Sequence, residues 1–322
     1  MIKIHLSTSQ RQALENLHYD VIYNSLGKLK SINKIIETTF LNKYTLKDFL
    51  IGDNQKLSTI LKDYCKLTSR KQDTFLRHFK TYFLNQYETK LAVTPKSTNA
   101  YEYKGKKYNA YVLCQLLNIT VCPYCNKNYT LTISDIENDI FTRPTLDHFL
   151  DKATYPFFAL SLYNLIPSCH ICNSHIKKSK EFKFDTHLNP YFDDFNKIKK
   201  FTTDKKLLSL INQGDHFEIV FKNKNSISNN DEIKANNTIK DLALDTLYNL
   251  HKDKVLELVD LSRAYNEASL QSIVDTFKET KIFKDSSDLK RLLLCHHVDS
   301  KDIDKRPLNK LVKDISEELG LL

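Results

Sequence analysis

Four cysteines of this chain are spaced as ligands of a single metal ion. They form two Cys-x-x-Cys pairs, Cys122 with Cys125 and Cys169 with Cys172. Two residues between cysteines let both thiolates of a pair reach the same ion, and two such pairs complete a tetrahedral Zn²⁺ site. Because four sulfurs leave no open position on the ion, the spacing predicts a structural zinc site that takes no part in catalysis.

A second group of polar residues consists of Asp147, His148, Asn164 and Asn173. The Asp-His pair lies between the cysteine pairs, Asn164 precedes the second pair, and Asn173 directly follows it. A carboxylate and an amide oxygen can bind a hard cation such as Mg²⁺ and leave positions open for water and phosphate. A histidine with an unperturbed pKa of ~6.5 can accept a proton at neutral pH. Together these groups could hydrolyse a phosphodiester.

A β-hairpin and a helix are the elements predicted to position these residues. The β-branched and aromatic content of residues 129–134 and 140–146 predicts two strands around a polar turn. A helix is expected to begin just after Pro167 and Ser168 and to carry Cys172, Asn173, Ile176 and Lys177. Neighbouring residues of a regular strand face opposite sides, so Asp147 and His148 can serve one phosphate only if the strand bends or ends there.

The order of these motifs resembles the HNH endonuclease family. The similarity covers roughly residues 120–180, and the zinc spacing, the Asp-His pair, the Asn-Leu step and the Cys-Asn step occur in the order of that family. The resemblance implies a ββα-metal module that is stapled by zinc. It also implies cleavage of phosphodiester bonds in nucleic acid, with Mg²⁺ or Mn²⁺ as the catalytic metal.

The resemblance also implies a role for each residue of the second group. Asp147 matches the metal-binding acidic residue of the family, and His148 matches the general base that takes a proton from water. Asn164 matches the middle residue of the motif, which braces the hairpin. Asn173 matches the second metal ligand, a position that is often histidine in the family, so this chain would offer a neutral amide there.

Lysines after the last motif residue are predicted to bind the substrate. Lys177 lies four residues after Asn173 and would share its face of a helix, and Lys178 follows it. The net charge of +9 and the 16 Lys and Arg against 8 Asp and Glu in the first 100 residues favour a polyanionic partner. Nucleic acid is therefore the expected partner, DNA in preference to RNA. For any single lysine, a solvated helix face is the simpler interpretation.

A closer resemblance concerns the segment 155–169 and the later Asn-Pro-Tyr at 189–191. Both are similar to the PtuB family of HNH nucleases, which are encoded beside ABC/RecF-type ATPases in the Septu and retron-associated anti-phage systems. This similarity implies a PtuA-like ATPase subunit as partner and a role in antiviral defence.

The composition predicts a mainly α-helical protein with a small α+β core. The 322 residues include only 5 Gly and 7 Pro, so few residues interrupt helices. We predict an N-terminal helical region at 1–95, an HNH nuclease domain with the four-cysteine zinc site at 96–200, and a C-terminal helical region at 201–322. The aromatic residues spaced by four between 75 and 87 are interpreted as core packing.

Cysteine usage and hydropathy favour a cytoplasmic protein. Seven cysteines are an odd number, and four of them belong to the metal pattern, which fits a reducing compartment. The start of the sequence lacks the apolar stretch of a signal peptide, and no apolar run is long enough to span a membrane. The other cysteines, Cys65, Cys114 and Cys295, are predicted to be small core residues.

Two other functions fit the same residues. The first is a zinc-knuckle module that binds nucleic acid and carries an inert Asp-His pair. The second is a stand-alone restriction or mobile-element HNH nuclease that needs no ATPase. Cleavage that depends on a divalent metal separates an enzyme from a binding module, and co-purification with an ATPase separates the two kinds of nuclease.

Overall fold

The computed structural model describes residues 1–207, 209, 216–277, 279–280, 282–283, 285–297, 299 and 302–322. About half of the chain is helical, and the strands form small antiparallel sheets of two strands each. The prediction of helices with small sheets is thus confirmed, with helix in about half of the chain. Some positions of the predicted C-terminal helical region lie outside the described residues: 208, 210–215, 278, 281, 284, 298 and 300–301.

Contacts between Cα atoms divide the chain into two compact units. We call Ile4–Ile119 with Thr130–Phe192 the first unit, and Met1–Lys3 with Thr120–Tyr129 and Asp193–Leu322 the second unit. These units cut across the predicted regions 1–95, 96–200 and 201–322.

The first unit begins with helices whose starts are set by capping side chains. The hydroxyl of Ser7 accepts a hydrogen bond from the backbone of Gln10, whose side chain accepts one from the backbone of Ser7. Asp53 caps a later helix by accepting from the backbone N–H of Lys56. Such caps satisfy backbone donors that have no partner inside a helix. The helices are α1 (Thr8–Ser25), α2 (Leu29–Phe40), α3 (Leu46–Ile51), α4 (Asn54–Cys65), α5 (Ser69–Phe79) and α6 (Ala110–Leu117).

An aromatic core holds these helices together. Helix α5 continues into two π-helical turns, Lys80–Leu84 and Tyr87–Leu91, and its aromatic residues at four-residue spacing are all buried. The ring of Phe75 lies 4.4 Å from that of Phe79 and 5.3 Å from that of Phe157, centroid to centroid. The interpretation of this stripe as core packing is confirmed. Because Phe157 belongs to a segment between two strands described next, the core also fixes that segment.

Three hairpins complete the first unit: β1 (Tyr101–Tyr103) with β2 (Lys106–Tyr108), β3 (Ile133–Asp135) with β4 (Ile140–Thr142), and β5 (Thr145–His148) with β6 (Leu165–Ser168). The predicted hairpin at 129–146 is therefore only partly right. Its second strand ends before Pro144, which has no backbone N–H for a ladder. The Asp-His pair lies on β5, a separate strand, and pairs with β6, which the sequence analysis did not predict.

Two of the three cysteines outside the metal pattern differ from expectation. Cys114 is buried in α6, as predicted, whereas Cys65 and Cys295 are exposed. Both exposed residues lie at the C-terminal ends of helices, at the last residue of α4 and just after Leu294. A helical apolar pattern does not determine burial at a position where the helix ends.

His18 of α1 is a buried neutral histidine that couples folding to pH. Its Nδ1 lies 2.7 Å from the Tyr108 hydroxyl and its Nε2 lies 2.8 Å from the Leu160 carbonyl oxygen. Since the carbonyl can only accept, Nε2 carries the proton and the tyrosine hydroxyl donates to Nδ1. Burial lowers the pKa of His18 from 6.5 to about 4.

We expect this shift to make the protein less stable as the pH falls. The unfolded chain takes up a proton on His18 near pH 6.5 and the folded chain only near pH 4, so stability is lost between these values. At ~1.4 kcal/mol per pKa unit the loss is about 3 kcal/mol. Urea denaturation at pH 7 and pH 4 measures it, with His18→Gln as control. If wild type and His18→Gln differ in the free energy of unfolding by the same amount at pH 7 and at pH 4, the expectation is contradicted.

The second unit is built around a helix that is buried almost throughout. Residues 309–316 of that helix are all buried, and Leu311, Val312 and Ile315 belong to the core. Its Lys310 ammonium lies 2.7 Å from Asp314, which also accepts from the backbone N–H of Phe201. The elements are α7 (Phe195–Ile198), β7 (Lys199–Thr203), β8 (Ile219–Asn223), α8 (Asn229–Asp241), α9 (Leu244–Tyr248), α10 (Lys252–Ala264), α11 (Glu267–Thr276), α12 (Ser286–Leu294) and α13 (Asn309–Glu318). Every helix in the described part of the chain is too short or too polar to cross a membrane.

Candidate functional site

The four cysteines of the metal pattern form one buried cluster. The sulfur atoms of Cys122, Cys125, Cys169 and Cys172 all lie within 4.8 Å of one another. Tetrahedral Zn²⁺ with Zn–S bonds of about 2.3 Å requires sulfurs roughly 3.8 Å apart, so the donor set and its spacing fit this ion. The cluster is therefore compatible with structural zinc, as the spacing predicted.

Tight turns present the cysteines to the ion. The backbone N–H of Asn126 donates to the Cys122 carbonyl oxygen at 2.8 Å, and Asn126 adopts a φ of 51°, a left-handed conformation that asparagine tolerates. The N–H of Lys127 donates to the sulfur of Cys125, and the N–H of Cys172 donates to the sulfur of Cys169, each at 3.4 Å. Such donors stabilise negative charge on thiolates that bind a metal.

The β5–β6 hairpin carries the Asp-His pair at its end. Asp147 pairs with Ile166 and His148 with Leu165, and His148 is the last residue of β5. The next ladder bond runs from the N–H of Phe149 to the backbone carbonyl of the residue before Leu165, at 2.9 Å. The strand thus ends at the Asp-His pair, which is the condition under which both side chains could face one phosphate.

Asn164 closes the loop that connects the two strands. Its side-chain oxygen accepts from the N–H of Leu150 at 2.7 Å. Its amide nitrogen donates to the carbonyl oxygens of Leu150 at 3.1 Å and Phe158 at 3.0 Å. The asparagine is completely buried, so its amide group ties the beginning of the loop to its middle.

Replacing Asn164 by alanine is expected to destabilise the protein by about 3–5 kcal/mol, because three buried backbone groups lose their partners at ~1–3 kcal/mol each. The free energy of unfolding in urea measures the change. Asn16→Ala serves as the control, since Asn16 is exposed on α1. If Asn164→Ala lowers the free energy of unfolding by less than ~1 kcal/mol, as the control does, the loop does not depend on the Asn164 hydrogen bonds.

His148 is held as a neutral imidazole. Its Nε2 lies 3.1 Å from the carbonyl oxygen of Ala159, so Nε2 carries the proton and the lone pair lies on Nδ1. The ring of Tyr87 contacts it edge to face, with centroids 4.5 Å apart. Burial is the main reason that the pKa of His148 falls from 6.5 to about 3. The imidazole is thus unprotonated at neutral pH, and the same burial makes it a weaker proton acceptor.

Asp147 is paired with Lys177. The ammonium Nζ lies 3.1 Å from Oδ1 of Asp147 and donates to the backbone carbonyl of His148 at 2.8 Å. Both side chains are almost fully buried, with exposures of 1% for the lysine and 4% for the aspartate. Lys177 and Lys178 were predicted to bind phosphate. The ammonium group of Lys177 instead contacts Asp147 and the backbone of His148. Lys178 is exposed.

Asn173 lies on a π-helical segment, Ile171–Lys177, whereas an ordinary α-helix was expected. The N–H of Lys178 donates to the Asn173 carbonyl oxygen at 3.0 Å, five residues back, which is the π-helical pattern. The side chain of Asn173 is half-buried. The segment contacts β5, the strand that carries Asp147 and His148.

The predicted ligands of a catalytic metal do not form a ready-made Mg²⁺ site in this arrangement. A carboxylate oxygen of Asp147 is already neutralised by an ammonium group, and the other predicted ligand, Asn173, is a neutral amide. Mg²⁺ prefers anionic oxygen ligands and holds its position through them. The residues as placed therefore do not fit this ion.

Two aromatic residues at the site were not identified as functional from the sequence. Tyr87 contacts the His148 ring, and the Phe182 ring lies 4.9 Å from the ammonium of Lys177. Tyr87 belongs to the aromatic stripe that was interpreted as core only. Phe182 lies five residues after Lys177 in a lysine-rich segment, and nothing in that spacing indicated the contact.

Comparisons with known proteins add no identification. The chain matches no protein-family model, no curated protein and no solved structure.

Proposed function

We propose that this chain is an HNH-type endonuclease that hydrolyses phosphodiester bonds in nucleic acid, DNA in preference to RNA. The observation that carries the proposal is the β5–β6 hairpin, which ends at Asp147 and His148 and is closed by Asn164. The π-helical segment after the hairpin and the four-cysteine cluster complete the order of elements that the resemblance implies.

In the proposed reaction His148 takes the proton from the attacking water. The hydrogen bond from Nε2 to Ala159 leaves the Nδ1 lone pair available and fixes the orientation of the ring. Asn164 holds the loop that contains Ala159, and so keeps the base in place. The exposed lysine Lys178, with Lys180 and Lys183 after it, supplies positive charge for the backbone phosphates.

Incubation of the zinc-loaded chain with plasmid DNA and with total RNA tests the proposal. We expect cleavage in Mg²⁺ or Mn²⁺ and none in EDTA, since the HNH resemblance implies a divalent metal. Asp147→Asn should abolish cleavage and retain the zinc. If the chain binds nucleic acid but cleaves none in any of the metal ions tested, the nuclease proposal is rejected.

A zinc-knuckle module that binds nucleic acid without cutting it is the second candidate. The buried ion pair of Asp147 with Lys177 favours it, because a carboxylate that is already neutralised attracts a metal ion less strongly. The low exposure of His148, 7%, favours it as well. This module would bind DNA with a strong salt dependence, and Asp147→Asn would leave the affinity unchanged.

We further propose that the nuclease works in the cytoplasm with an ABC/RecF-type, PtuA-like ATPase as an anti-phage defence complex. This rests on the similarity of segments 155–169 and 189–191 to the PtuB family. Co-expression with a PtuA-like ATPase should give a complex that survives size-exclusion chromatography. A chain that restricts phage fully on its own would favour the stand-alone restriction or mobile-element nuclease.

A further inference from the structure

The ammonium group of Lys177 occupies surroundings suited to a bound cation. It lies 3.1 Å from Oδ1 of Asp147 and 2.8 Å from the carbonyl oxygen of His148, and the Phe182 ring lies 4.9 Å away. A carboxylate, a carbonyl oxygen and the face of a ring all attract positive charge. The exposures of 1% and 4% mean that little water screens the pair.

We propose that Lys177 is a built-in counter-cation that competes with a divalent metal ion for the Asp147 carboxylate. The inference rests on the proposed function, in which Asp147 is a metal ligand. A divalent ion on this carboxylate would bring two positive charges next to the ammonium in a poorly hydrated site, where like charges repel strongly. The ion can therefore bind only when Lys177 withdraws, and this lysine keeps the resting site closed.

The backbone that follows the lysine supports this role. Lys178 adopts φ 49° and ψ −126°, a conformation that residues other than glycine rarely adopt. It follows a π-helical segment, and both π-helical turns and strained residues concentrate at functional sites. Relaxation of this turn would move Lys177 away from Asp147. The strained residue therefore lies next to the lysine that has to withdraw.

Mn²⁺ binding to the full-length, zinc-loaded chain tests the proposal, with free Mn²⁺ measured by electron paramagnetic resonance. Lys177→Gln keeps a side-chain donor for Asp147 and His148 but removes the charge. We expect this variant to bind one Mn²⁺ at least about tenfold more tightly than wild type. Lys71→Gln is the control, because it removes an exposed charge of α5 that has no part in the proposed site, and it should bind like wild type. Adding Asp147→Asn to Lys177→Gln should abolish the gain.

Equal or weaker Mn²⁺ binding by Lys177→Gln than by wild type would overturn the proposal, as would an equal gain in Mn²⁺ affinity in Lys71→Gln. Zinc content and circular dichroism show whether Lys177→Gln folds. If it does not, hydrogen exchange of the wild-type chain decides the question. Saturating Mn²⁺ should then speed exchange of the Lys178 amide and its neighbours, and unchanged exchange would overturn the proposal.

The failure of this inference and that of the proposed function can be told apart, because Mn²⁺ binding is measured without any cleavage. Tighter binding by Lys177→Gln in a chain that never cuts nucleic acid would reject the nuclease and keep the counter-cation role. Cleavage that depends on Mn²⁺ and Asp147, with Lys177→Gln binding Mn²⁺ as wild type does, would reject the counter-cation role alone.

Discussion

Replacing His148 by alanine is expected to slow nucleic-acid cleavage by roughly 10²–10⁴-fold, the usual contribution of a positioned general base. The His148 imidazole at the end of β5 is unprotonated, and its ring orientation is fixed by contacts with Ala159 and Tyr87. The rate constant under single-turnover conditions, with Mg²⁺ or Mn²⁺ present, measures the effect. Extra Mn²⁺ should partly restore Asp147→Ala but should not restore His148→Ala.

His175→Ala is the matched control for this experiment. His175 is exposed on the same π-helical segment as Asn173, and its removal should leave the rate within a few fold of wild type. Zinc content and unfolding midpoint establish that both histidine variants are folded. A His148→Ala variant that cuts at nearly the wild-type rate would remove this histidine from the mechanism and favour the binding module.

Replacing Cys172 by serine is expected to release zinc and unfold the part of the chain that the ion supports. Structural zinc contributes on the order of 10 kcal/mol in small zinc domains, which is comparable to the whole stability of a typical protein. Elemental analysis should give one zinc per wild-type chain and well under one per Cys172→Ser chain. Thermal unfolding followed by circular dichroism should show a large decrease in midpoint.

Cys65→Ser provides the control, because Cys65 is an exposed cysteine outside the cluster. It should retain one zinc ion and the wild-type unfolding midpoint. A wild-type chain purified with much less than one zinc, or a Cys172→Ser variant as stable as wild type, would contradict the structural role of the cluster.

Spacing and alternation predicted the parts of the site that depend on local geometry. The spacing of the two Cys-x-x-Cys pairs predicted that they share one ion, and the four sulfurs do lie within 4.8 Å of one another. Alternation of strand side chains lets Asp147 and His148 face one phosphate only if β5 bends or ends there, and His148 is its last residue. The aromatic repeat of α5 predicted a buried stripe because residues four apart share a helix face.

Other features depend on partners distant in sequence. Strand β6 contains Pro167 and lies just before a predicted helix, so only its pairing with β5 reveals it as a strand. The burial of Lys177 follows from the packing of the π-helical segment on β5, which helical spacing alone does not give. The chain segments of the two units are also set by contacts and not by changes of composition.

Hydrolysis in ¹⁸O-labelled water shows whether the Asp147–His148 site breaks phosphodiester bonds. Zinc-loaded wild-type chain is incubated with a DNA duplex in Mn²⁺, and the new terminal phosphates are analysed by mass spectrometry. We expect one ¹⁸O atom in each terminal phosphate that the wild type produces, and roughly 10²–10⁴-fold slower formation of labelled product by His148→Ala. Labelled products formed equally by both proteins, or DNA retained by the wild type without any labelled phosphate, would contradict it.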